Sequence, residues 1–86
     1  MGTEAAVVRL IIVDDHVLVR DGLRARLSVV PHLQVVGEAA SGAEALALAD
    51  ADAPDLMLVD VCMNGIELVT ELRRSHPNVK VLMLSM

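Results

Sequence analysis

The chain has 86 residues, room for one small domain and no more. Its apolar fraction is 55% with no Phe, Trp or Tyr, so its core must be built without aromatic anchors. A formal net charge of −5 argues against these residues alone gripping nucleic acid, which takes a basic face. The single cysteine, Cys62, excludes an internal disulfide and makes the cytoplasm the expected compartment. No apolar run reaches the ~18 residues of a membrane span, and the opening MGTEAAVVRLIIVDD lacks the basic region of a signal peptide. No membrane association is expected.

Residues 7–13, VVRLIIV, are a β-branched apolar run ending at Asp14 and Asp15, the pattern of a strand buried on both faces. Over residues 16–29, Val19, Leu23 and Leu27 recur at a four-residue step while Arg20, Arg24 and Arg26 lie off that stripe; this predicts an amphipathic helix, closed by Pro31. Residues 34–39, QVVGEA, predict a second strand. Ser41 with Glu44 three positions on is a capping-box pattern, and AEALALADA is rich in strong helix formers. A helix is predicted over 41–51, with Pro54 ending the connection. Residues 55–61 predict a third strand. Ile66, Val69 and Leu72 at helical spacing predict a helix over 66–75, stopped by Pro77. Residues 79–85, VKVLMLS, predict a fourth strand. Strands alternating with helices in the order β-α-β-α-β-α-β imply an open parallel sheet with crossover helices.

In such sheets, sites form beyond the carboxyl ends of the strands, near the switch in strand order. The first strand ends on Asp14 and Asp15, the third on Asp60 and the fourth on Ser85. Three carboxylates in one place repel one another unless a cation compensates them, and Mg2+ takes carboxylate and phosphate oxygens. A carboxylate can also act as the nucleophile toward phosphorus, and a metal beside it neutralises the developing charge. A serine hydroxyl across the site can bond a phosphoryl oxygen. The set as a whole suits metal-assisted phosphoryl transfer onto Asp60.

Each residue alone has a plainer reading. Asp14 or Asp15 could cap the first helix, and Asp60 could be a solvated strand end. His16 beside the carboxylates allows zinc, but no Cys or His partner has ligand spacing. His32 and His76 flank prolines and read as surface residues. Cys62 reads as a bystander whose backbone carbonyl faces the site. VGEAASG lacks the dinucleotide fingerprint, and Met57, Met63 and Met83 read as core filler.

The stretches LIIVDDHVLVRDGLRARL, VVGEAASGAEALALA, PDLMLVDVCM and NGIELVTELRRSHPNVKVLMLSM together resemble, over essentially the whole chain, the receiver domains of bacterial response regulators. They are most similar to those of the NarL/FixJ (LuxR-type) transcription regulators. The resemblance implies a flavodoxin-like open sheet with helices on both faces. It implies Asp60 as phospho-acceptor, Asp15 as a direct Mg2+ ligand and Asp14 as a ligand through water. The backbone carbonyl of Cys62 would be a further ligand and Ser85 the switch hydroxyl. The implied partners are a sensor histidine kinase or a small phosphodonor, a second copy of the chain, and DNA through a C-terminal domain that lies outside the 86 residues. Beyond its own phosphoryl transfer and dephosphorylation, such a domain is not an enzyme.

The sequence departs from the family pattern in two ways. Between Met63 and the Asn64-Gly65 pair, about three residues of the usual short loop are absent. After Met86, the family continues through a fourth helix, a fifth strand carrying a phosphate-contacting lysine, and a fifth helix. Residues 1–86 are therefore expected to be the N-terminal part of a receiver domain in a longer chain. One face of the first strand and one edge of the fourth are expected to lie bare and to invite pairing with another chain. Two other functions fit the same residues. One is a truncated or phosphorylation-silent receiver acting as an interaction and dimerisation module. The other is a phosphatase-like hydrolase with an aspartyl-phosphate intermediate, which calls for an acid/base Asp where Cys62 stands.

Overall fold

The computed structural model describes residues 6–61, 63 and 65–84. β1 (Val8–Val13) is followed by α1 (Val17–Leu27), β2 (Leu33–Ala39), α2 (Gly42–Asp52), β3 (Leu56–Asp60), α3 (Gly65–Ser75) and β4 (Lys80–Leu84). The four strands form one parallel sheet in the order β2-β1-β3-β4. The chain leaves β1 toward β2 on one side and returns to β3 on the other, so strand order reverses between β1 and β3. There Val13 pairs with Val59, which sets the residues after them side by side. β2 accommodates Val36 as a bulge, since Leu10 pairs with Val35 and Ile11 with Gly37.

Strand alternation divides the core between two faces. On one, Ile11, Val13, Met57 and Val59 pack with Ala45 and Ala49 of α2 and with Leu68 and Leu72 of α3. On the other, Leu10, Ile12 and Leu58 pack with Leu23 and Leu27 of α1 and with Leu33, Val35, Leu56 and Leu84. β1 is therefore buried on both faces, as its sequence predicts. The expectation that one of its faces lies bare is overturned: β1 is an interior strand, and α1 lies over Leu10 and Ile12. The bare edge belongs to β4, where Leu82 is 52% and Met83 39% exposed. Met57 is core and Met83 is not.

The ends of the elements follow local chemistry. α1 stops at Leu27, short of the predicted residue 29. The Ser28 hydroxyl donates to the Ala25 carbonyl and the Val30 N–H to Leu27, and Pro31 disfavours helical backbone just before it. Ser41 caps α2 by accepting from the Glu44 N–H at 3.2 Å. Glu44 reaches back to the N–H of Ala40, 3.1 Å away, a one-residue variant of the expected box. At the other end, Ala53 adopts left-handed backbone, φ 45°. That turn is held by the Arg9 guanidinium, which donates to the Asp52 and Ala53 carbonyls, and by Asp55, which exchanges hydrogen bonds with the Arg9 backbone. His76, expected at the surface, is instead half-buried and bonds Asp50 at 2.7 Å, tying the end of α3 to α2.

Truncation at the two kinds of apolar position separates core from edge. Leu72→Ala is expected to destabilise the fold by about 2–5 kcal/mol, as for other fully buried leucines. Leu82→Ala should change stability by no more than about 0.5 kcal/mol. Urea denaturation of the two variants beside the parent chain checks both.

Candidate functional site at the ends of the central strands

β1 and β3 deliver Asp14 and Asp60 to adjacent positions, and both residues are only 5% exposed. Asp15, one residue further along, reaches out of the sheet end and is exposed. The backbone of Asp14 continues the sheet by one bond, its N–H donating to the Ala39 carbonyl at 3.0 Å. Its carboxylate turns toward the start of α1, where Oδ1 accepts from the His16 N–H at 2.8 Å. His16 holds the N-cap position of α1, so neither Asp14 nor Asp15 is the cap residue.

The His16 ring completes the cluster. Its Nδ1 lies 2.9 Å from Asp14 Oδ1, 3.0 Å from Asp15 Oδ1 and 4.0 Å from Asp60 Oδ2. One ligand atom from each of these four residues falls within 4.8 Å of all the others. Accepting a hydrogen bond from the protonated ring, the Asp14 carboxylate holds the His16 imidazole above its ordinary pKa of 6.5, and the negative charge of Asp15 adds to this. The protonated ring offsets the mutual repulsion of the carboxylates. Because the folded-state value is the higher one, this contribution to stability is fully present below pH 6.5 and is lost as pH rises through the folded-state pKa.

Three carboxylates and no thiolate, among the described residues, form an oxygen-rich set that fits a hard divalent cation such as Mg2+. One imidazole with no second nitrogen or sulfur donor among the described residues is a poor match for zinc. Beside the cluster, an open groove of about 650 Å3 runs from Asp15 between α2 and α3, past Ser41, Leu46, Val59 and Met63.

The residues expected to act together thus divide in two. Asp14, Asp15 and Asp60 meet. Cys62 and Ser85 lie outside the described residues, so the carbonyl ligand and the hydroxyl remain expectations. His16, without a zinc-like partner by spacing, joins the cluster as a charge partner, and its adjacency to Asp14 and Asp15 is the signal for this in the sequence. Arg20 and Glu38, which support the Asp14 backbone, carried no signal, being 18 positions apart. For His16, an NMR titration of the metal-free chain is expected to give a pKa above 6.5, and Asp14→Asn should lower it.

Residues 10–86 match the family model of the response regulator receiver domain. The response regulator protein VraR of Staphylococcus aureus is 43% identical over 81 residues, which cover 91% of this chain and 39% of that protein. The chain therefore spans about two fifths of the length of the curated relatives it matches. Among solved structures, the signal receiver domain of the response regulator NarL from Mycobacterium tuberculosis superposes with a TM-score of 0.84 at 37% identity, covering 94% of this chain and 68% of that one. A LuxR-family two-component response regulator from Aurantimonas sp. SI85-9A1 gives 0.86 at 32% identity, covering 94% and 60%. With the flavodoxin-like sheet order and the acidic strand ends already in place, these similarities establish that the chain belongs to the response regulator receiver family, in its NarL/FixJ (LuxR-type) branch.

Proposed function

We propose that the chain is the phospho-accepting part of a two-component transcription regulator. The observation that carries this reading is the buried Asp60 carboxylate, held at a strand end within reach of Asp14 and Asp15. Asp60 attacks the phosphorus of a phosphohistidine on a sensor kinase, or of a small acyl phosphate. A bond from Asp60 oxygen to phosphorus forms as the donor's P–N or P–O bond breaks, and the leaving group departs with its electron pair. Mg2+, when bound by Asp15, Asp60 and the Cys62 carbonyl with Asp14 acting through water, supplies positive charge against the phosphoryl oxygens. Asp14 and Asp15 keep the approach to Asp60 oriented, and the Ser85 hydroxyl is the group that bonds a phosphoryl oxygen once transfer is complete.

The chain transfers and releases only its own phosphoryl group, and in this sense is a switch. The added charge of the phosphoryl group biases a surface that pairs two copies in the cytoplasm and governs a DNA-binding domain elsewhere in the full protein. A second reading of the same residues is a phosphorylation-silent module that works by pairing alone.

Incubation with acetyl phosphate and Mg2+ is expected to add one acid-labile phosphoryl group by intact mass, and Asp60→Asn or excess EDTA should abolish it. Asp14→Asn, which acts on the metal only through water, should weaken Mg2+ binding by about 10–100-fold, and Asp15→Asn by more. Equal labelling of the parent and of Asp60→Asn would refute the reading. Absence of labelling together with dimerisation indifferent to beryllofluoride would select the silent module.

A further inference from the structure

The link between β1 and α1 carries two of the three carboxylates of the site, and one arginine holds it in place. Arg20 lies on the first turn of α1, its N–H donating to the His16 carbonyl at 3.0 Å. Its side chain is only 15% exposed. Nη1 donates to the backbone carbonyl of Asp14 at 2.6 Å, while Nε reaches Glu38 Oε1 at 3.3 Å. Glu38 is the residue before Ala39 on β2, and its other oxygen takes the Nε of Arg24 at 3.2 Å. The Asp14 backbone is therefore held on both sides of its Cα. Its N–H is tied to β2 through Ala39, and its carbonyl is tied to α1 and again to β2 through Arg20 and Glu38.

We infer that Arg20, oriented by Glu38, is a positioning residue for the acidic site. It sets the direction in which the Asp14 carboxylate leaves the strand end. The chemistry requires arginine at this place. A guanidinium offers several donors in a fixed plane and can meet a carbonyl and a carboxylate at once, whereas the lysine ammonium is a single point charge. Much of this grip is withdrawn from solvent, so its geometry persists where an exposed ion pair would fluctuate. With the carbonyl fixed, Asp14 Oδ1 stays on the His16 N–H, and the carboxylate faces Asp15 and Asp60 instead of turning to solvent. Arg20 touches no reacting atom. Its effect passes through Asp14, and its consequence for metal affinity rests on the phosphoryl-transfer reading above.

The test uses the full-length protein that carries these residues, with Arg20→Gln, Arg20→Lys, Glu38→Gln and, as a packing control on the same helix, Leu23→Ala. Hydrogen exchange of the His16 amide reads the orientation of Asp14 without metal. Titration with MgCl2 followed by NMR reads metal affinity. Arg20→Gln is expected to speed His16 exchange at least tenfold beyond any change in global exchange, and to weaken Mg2+ binding by about 10–100-fold. Glu38→Gln should show a smaller effect in the same direction, and Arg20→Lys only partial rescue. Leu23→Ala should lower Tm without selective change in either readout. Exchange and affinity within twofold of the parent in Arg20→Gln would overturn the inference. So would equal losses in Leu23→Ala, which would reduce Arg20 to general packing. If the parent protein binds no Mg2+, the phosphoryl-transfer reading falls, and His16 exchange alone decides the role of Arg20.

Discussion

The parallel pairing of β1 with β3, Val13 beside Val59, brings Asp14 and Asp60 together from positions far apart in the chain. Neither carboxylate would be tolerated in the sheet interior, where an unpaired charge is expensive. Both stand one step past the apolar stretch and are only 5% exposed. The two core clusters serve this arrangement. Ile11, Val13, Met57 and Val59 anchor the strands against α2 and α3, while Leu10, Ile12 and Leu58 anchor them against α1. The strand ends are thus held by packing on both faces, and the site inherits the rigidity of the sheet.

Placing like charges together sets the next problem, and the local structure meets it in layers. His16 lies nearest, with its ring against Asp14 and Asp15 and within reach of Asp60. Arg20 lies behind the link, bonded to the Asp14 carbonyl, with Glu38 and Arg24 extending the network along β2 and α1. A cationic ring within the cluster and guanidinium groups behind it offset the repulsion among carboxylates that a divalent cation would otherwise have to compensate.

The outer parts of the molecule differ in character. β2 is an edge strand flanked by α1 and α2, while β4 shows Leu82 and Met83 to the outside and only Lys80 as a charge. Lysine is one of the common means of blunting an edge, but a single one at the end of a strand leaves most of it unguarded. The chain spans 39% of the length of VraR.

Element types and order were determined by the sequence alone, because apolar period, capping residues and prolines are local signals; Ser41 and Glu44 even announced the start of α2. So was the family, because Asp14-Asp15 and Asp60 each close an apolar run and sit in long stretches of family pattern. Tertiary structure alone decided what depends on contacts distant in sequence. The strand order makes β1 interior, so α1 covers the face expected to lie bare. The rotation of the β1–α1 link brings His16 into the cluster. The pairing of Arg20 with Glu38 crosses from helix to strand. No periodicity or spacing encodes such contacts, since they arise from which strand lies beside which and how a single helix is turned upon the sheet.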